Sequence, residues 1–314
     1  MNRPTNQQSG APQMDPAVYA ELQRLKQRAS IGTMAVIAGF ASVILFAAVL
    51  KNTAAVPAAF FLLVIGALIA NKSNKAYSAY YKEHVVRNMT LSGCDFLENV
   101  VFEPDGGILR QEVEELQVIH CDRFSSNDLI TATYKGVPFR QSDVHMVNIS
   151  HDKDGHQTET TVFKGRWLIF DFNKDFAWNL QVMSKSFHTA NRIGGLFSIG
   201  RPRVSKITLE NEAFNKQFRV FAEDEHEAFY ILTPHMMEAL MDLKNGLEAP
   251  IMLVFTGGVL HVAVYNSQDA FEGKLFGQLD LEEEKARMEQ DLRLITGFVD
   301  ELALERDIYK NNLE

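Results

Sequence analysis

Between Ile31 and Ala70 the only charged residue is Lys51: runs of 20 and 17 apolar or small residues, IGTMAVIAGFASVILFAAVL and AAVPAAFFLLVIGALIA, are separated by Lys51, Asn52 and Thr53 alone. As helices rising about 1.5 Å per residue, they would be roughly 30 and 25 Å long, close to the thickness of a bilayer's hydrocarbon core. Backbone amides find no water there, so such runs must satisfy themselves as helices, and three intervening residues allow only a tight reversal. The expectation is a transmembrane helical hairpin over residues 31–70, with a buried hairpin of a soluble protein as the alternative. Thirty mostly polar residues precede the first run, and the second follows at once, which argues against a cleavable signal peptide.

Lysine and arginine set the expected orientation. Arg3, Arg24, Lys26 and Arg28 precede the hairpin, Lys72, Lys75, Lys82 and Arg87 follow it, and Lys51 marks the turn. The positive-inside rule then puts both termini in the cytoplasm and Lys51–Thr53 on the far side, a multi-pass arrangement. Cys94 and Cys121 are the only cysteines and form no C-x-x-C pair, in keeping with a reducing compartment. Residues 1–90 carry nine Lys/Arg and three Asp/Glu, net +6, so the chain total of −9 leaves −15 for residues 91–314. A basic collar suits the lipid bilayer as a partner, whereas the acidic remainder argues against nucleic acid.

The rest divides by pattern. Residues 1–30 read as a polar tail and a juxtamembrane helix, with Asp15 as N-cap and Pro16 in the first turn. Residues 71–128 read as a juxtamembrane helical linker, its Tyr77, Tyr80 and Tyr81 placed at headgroup depth. Over 129–278 the period falls to two: LITATY, VHMVNIS, TETTVFKGRWLIFDF, NLQVMSKSF, RVSKITLE, FNKQFRVFA and EAFYILT read as strands. Lys135-Gly136, Asp154-Gly155 and Gly257-Gly258 read as hairpin turns, and Thr233-Pro234 opens a helix that stops near Asn245-Gly246. Residues 279–314 read as an amphipathic C-terminal helix whose wide stripe (Met288, Leu292, Ile295, Val299, Leu302) suits a globular core better than a coiled-coil seam. The fold class is α+β: a transmembrane hairpin followed by a cytoplasmic antiparallel-sheet domain with helices.

Few residues point to chemistry. His145, His151 and Asp152 lie within HMVNISHDKDGH and are weak metal candidates, since their spacing matches no established site; an exposed hairpin is the reading preferred. Cys121, between His120 and Asp122, reads as a buried structural thiol. The segment NRIGGLFSIGRPR offers Arg192, Ile193, Leu196, Phe197, Arg201 and Arg203 as a loop for the membrane interface or a partner. FKGRWLIFDFNKDF is apolar on both strand faces and reads as a central, doubly covered strand. No standard hydrolase or phosphate-loop signature is present, so no catalytic residue or cofactor is expected.

Three stretches, DRFSSNDLITATYKGVPFRQSDV, TVFKGRWLIFDFNKDF and ITLENEAFNKQFRVFAEDEHEAFYILTPHMMEALMDL, resemble the bacterial domain-of-unknown-function family 3137 over roughly residues 70–275. The resemblance implies membrane helices ahead of a cytoplasmic domain, hence a bacterial inner membrane, and carries no activity or site residue with it. The functional expectation is an inner-membrane-anchored cytoplasmic interaction or scaffold module with a protein partner. A small-molecule or lipid-binding domain, and then a membrane-tethered enzyme, are the alternatives.

Overall fold

The computed structural model describes residues 14–49, 56–88, 94–151, 155–171, 179–187, 204–267 and 271–302. These form two compact units, residues 1–93 with 271–288 and residues 94–270 with 289–314.

The first unit is built on two long helices, α1 (Pro16–Ile44) and α2 (Val56–Tyr81), each prolonged by a wide π-type turn, Leu45–Val49 and Lys82–Val86. Asp15 accepts a hydrogen bond from the Ala17 amide at 2.8 Å and Pro16 takes the first turn, so α1 starts where capping chemistry places it. The juxtamembrane helix and the first apolar run are one 29-residue helix, about 44 Å at 1.5 Å per residue. Nothing between them breaks it: Ser30 donates back to the Gln27 carbonyl, and Gly32 is consumed by packing. A Cβ on Gly32 would stand 2.9 Å from the Ala70 Cα, and one on Gly39 would stand 3.2 Å from the Leu63 Cα. Small residues thus let the backbones meet antiparallel, as packed membrane helices do without a hydrophobic drive between them. The Lys51–Thr53 turn lies outside the described residues.

The second unit holds one antiparallel sheet of nine strands: β1 (Glu98–Glu103), β2 (Arg123–Tyr134), β3 (Val137–His151), β4 (Gln157–Asp171), β5 (Leu180–Ser184), β6 (Ser205–Ile207), β7 (Phe218–Ala222), β8 (Ile251–Thr256) and β9 (Val259–Val264). Their spatial order is β1-β2-β3-β4-β9-β8-β5-β7-β6. Lys135-Gly136 and Gly258 after Gly257 take positive φ throughout, the left-handed pairs that tight hairpins need, and they join β2 to β3 and β8 to β9. The expected central strand is β4, flanked by β3 and β9.

Short helices α3 (Arg110–Glu114), α4 (Glu212–Gln217) and α5 (Glu225–Ile231) punctuate the sheet, and α6 (Pro234–Leu247) starts from the expected Thr233 cap. On one face of β4, Phe163, Trp167 and Ile169 pack with Val113, Ile119 and Cys121 from the segment around α3. On the other face, Phe170 meets Phe298 of α7 (Leu281–Glu301) at 6.1 Å between ring centroids. From Glu289 onward the C-terminal helix therefore lies on the sheet of the second unit, as its wide stripe predicts.

The structure departs from the reading in three places. The segment 71–128 is helical only in part, because Glu98–Glu103 pairs with β2, and β2 itself begins at Arg123. EAFYILT is mostly helix α5, capped by Asp224, whose side chain accepts from the Glu227 amide. FNKQ belongs to α4, and strand β7 begins only at Phe218.

Candidate functional site

Among the described residues, each unit has a surface or cavity that a plain core would lack. In the first unit the helix pair turns its large apolar side chains outward: Ile31, Met34, Ile37, Phe40 and Ile44 on α1, and Phe60, Phe61, Leu68 and Ile69 on α2. Phe40 and Phe61 are 62% and 65% exposed, and the side chains buried between the helices are alanine and glycine instead. This inverts the distribution of a water-soluble helix pair, and so large a contiguous apolar surface marks contact with lipid or protein. Both helices are long and apolar enough to cross a membrane.

Below that band the segment 271–288 is tied to the end of α2. Tyr77 donates to the Lys274 carbonyl at 3.2 Å, Ser78 to Glu272 at 3.2 Å, and Tyr81 to Glu284 at 2.6 Å, while Arg287 also reaches Glu284. Tyr77 and Tyr81 are each 1% exposed, so they do not form the aromatic belt expected of them. Their rings bury against Gly273, where an added Cβ would stand 2.7 Å from the Tyr77 hydroxyl.

In the second unit a cleft of about 410 Å³ opens beside β4, walled by Arg166, Leu168, Glu248, Asn266 and Asp291. The Arg166 guanidinium at its floor is 7% exposed and pairs with Asp291 at 2.9 Å. Its backbone is placed by Gly165, which lets β4 approach the Val264 carbonyl. The cleft is polar, with one guanidinium against two carboxylates, unlike the deep apolar pocket that would favour a lipid or small-molecule domain. Side chains fill both faces of β4 itself: Phe163 packs edge-on with Trp167 at 5.6 Å, and Phe139 lies 5.9 Å from Phe170.

Across the sheet, His261 accepts from the Trp167 indole at 3.3 Å through Nδ1, so the ring is the neutral tautomer. Burial pushes its pKa down to about 4, against the opposing charge of Glu112 and with a smaller contribution from Arg140. Burial would raise the carboxyl of nearby Glu112, but Arg140 at 2.6 Å and the Leu109 amide outweigh it and hold the group below its ordinary value. The signs give two acid windows. The folded protein refuses the proton that an unfolded histidine accepts, so His261 stabilises above pH 6.5, and this is lost as pH falls toward about 4. Glu112 contributes above the ordinary carboxylate value and loses its contribution only below it. His261→Gln, which keeps an acceptor for Trp167, is expected to remove about 2 kcal/mol of the decline in unfolding free energy between pH 6.5 and 4. Denaturant unfolding at successive pH values checks it, and parallel declines in wild type and variant would assign the acid sensitivity elsewhere.

Of the residues singled out from sequence as a site, the structure describes His145 and His151, which do not converge. His145 stands on β3 with Nε2 at 3.2 Å from the Thr161 hydroxyl, and His151 is exposed at the end of the same strand. They share a face but are six residues apart, about 20 Å along a strand, too far to hold one ion. Asp152 lies outside the described residues, among which no group of three or more His, Cys, Asp or Glu converges. Cys121 is buried within the apolar core and its thiol pKa is raised, chiefly by burial, while the Asp122 carboxylate accepts from the Ile149 amide at 2.6 Å. Arg192, Ile193, Leu196, Phe197, Arg201 and Arg203 also lie outside the described residues. Sequence reasoning missed the Arg166–Asp291 pair and the clasp of residues 271–288, because their partners are more than 120 and about 200 positions away.

Residues 161–304 match the family model described as protein of unknown function, DUF3137. The match contains the TVFKGRW and ITLENEAF stretches on which the resemblance rests and runs on into α7, whereas DRFSSNDL precedes it. No curated protein matches the chain. Among solved structures the chain is similar to the mycobacterial trehalose monomycolate transport factor A, at 10% identity and a TM-score of 0.38 over 72% of this chain and 94% of that one.

Proposed function

We propose that this DUF3137-matching chain is a membrane-anchored interaction or scaffold protein, fixed by the α1–α2 pair in a bacterial inner membrane and presenting its sheet unit to a protein partner in the cytoplasm. The observation that carries the reading is the outward apolar band of the helix pair, which water does not tolerate and lipid does. The four Lys/Arg on each flank, against Lys51 alone at the turn, support cytoplasmic termini. The net −15 of residues 91–314 supports a sheet unit held off the anionic bilayer and a partner with a basic face.

The test is topological. In intact cells an impermeant amine reagent is expected to label Lys51 alone, while Lys72, Lys75 and a reporter fused after Glu314 stay protected until the membrane is opened. The chain should resist alkaline carbonate extraction. Release by carbonate would remove the anchor, and outside labelling of Lys72 or Lys75 would reverse the orientation.

A further inference from the structure

The first unit contains a cavity of about 570 Å³ between the N-terminal half of α1 and residues 275–279. Gln23, Lys26, Gln27, Ser30 and Met34 line it at helical spacing from one face of α1, with Phe276 opposite. The wall is closed by Tyr19, whose hydroxyl donates to the Leu279 carbonyl at 3.4 Å. Lys26 is 7% exposed, and its Nζ makes no hydrogen bond to any described residue. The neighbouring carboxylate, Glu284, is engaged by Tyr81 and Arg287. A buried ammonium without a bonded acceptor is costly, and an anion delivered to the cavity would relieve that cost.

The place of the cavity narrows what the anion is. Lys26 lies five residues before Ile31, where the outward apolar band begins, and Met34, which lines the cavity, is itself part of the band at 55% exposure. Phe276 is also 49% exposed at the cavity's edge. One end therefore offers an amine, two amides and a hydroxyl, and the other end offers hydrocarbon. We propose that this cavity binds the phosphate of an anionic membrane lipid, with Lys26 Nζ and the Gln23 and Gln27 amides as donors and an acyl chain leaving past Met34 along the apolar exterior. The inference rests on the membrane reading above and adds a ligand and the residues that take it.

The full chain in neutral detergent would be titrated with dioctanoyl phosphatidylglycerol, dioctanoyl phosphatidylcholine and inorganic phosphate, with lipid adducts counted by native mass spectrometry and melting temperature followed in parallel. The expected result is one retained phosphatidylglycerol, little phosphatidylcholine, and no comparable stabilisation by phosphate alone. Lys26→Met should weaken that binding roughly tenfold or more, and Lys26→Arg should restore it. Gln27→Glu, an exposed position that tests the same cavity without disturbing a buried group, should also weaken it. Equal retention by wild type, Lys26→Met and Gln27→Glu would overturn the site. Equal stabilisation by inorganic phosphate would overturn its assignment to a lipid. Carbonate extraction of the same variants separates the two readings: a chain that stays in the membrane but retains no lipid at Lys26 sinks this inference alone.

Discussion

Gly165→Ala should lower the unfolding free energy of the sheet unit by about 4 kcal/mol or more, because the new methyl has no place to go. Built on the existing backbone, its Cβ would stand 2.1 Å from the Val264 carbonyl oxygen and close to Asn266. Both obstacles belong to the point where β4 and β9 meet. Arg166 pairs with Val264, and the Lys164 carbonyl accepts from the Ser267 amide at 3.0 Å. Relief would mean prising two central strands apart and breaking the ladder beside Trp167, whereas a flexible side chain could simply swing away. Gly136→Ala is the matching control. Gly136 sits at a hairpin turn with φ +78 and nothing within 4 Å of its missing Cβ, so it carries only the left-handed penalty of about 1 kcal/mol. Denaturant unfolding of the full chain in neutral detergent, followed by tryptophan fluorescence, measures both. Equal losses would show that the β4–β9 approach is looser than described, and the FKG phrase of β4 would lose its physical explanation.

That glycine illustrates what can and cannot be read along the chain. The phrase FKGRWLIF is legible as a strand apolar on both faces, since Phe163, Trp167 and Ile169 alternate with Leu168 and Phe170, and each of these side chains is buried. The need for glycine at 165 depends on a strand about 100 residues later and has no local signature. The long apolar helices were legible for the opposite reason: an uncharged run of that length has few alternatives to a helix, and composition alone carries the message. Helix α5 shows local signals in conflict. AFYI is strand-like in composition, but Asp224 followed by Glu227 forms an N-cap that starts a helix just before it, and capping prevailed. In β1, the short ENVVFE run is broken by Asn99 at φ +53 and a register shift, which hides its alternation. The clasp of Tyr77 and Tyr81 by residues 271–288 and the empty-handed amine of Lys26 are products of tertiary placement, visible only once distant segments are brought together.

Phe298→Ala should cost about 3–5 kcal/mol, and Leu302→Arg a few kcal/mol, without changing the mass of the particle. In helix α7 Leu292, Ile295, Phe298 and Val299, and Leu302 just past its end, are all buried, none more than 1% exposed, and Phe298 stacks obliquely on Phe170 of β4. Arg166 of the same strand pairs with Asp291 one turn from Ile295, so an ion pair and a ring pair fix the helix on one sheet face. Met288, Leu292, Ile295, Val299 and Leu302 also have the three-and-four spacing of a coiled-coil seam, which would join two copies. The two arrangements compete for the same side chains. A residue buried by its own sheet cannot also be a knob in a partner's hole, so substitutions along the stripe should affect folding and not assembly. Light scattering with parallel thermal unfolding decides between them. A lowered melting temperature at constant mass supports the helix as part of the core. An unchanged melting temperature with a dimer falling to monomer would mean that the stripe faces a second chain.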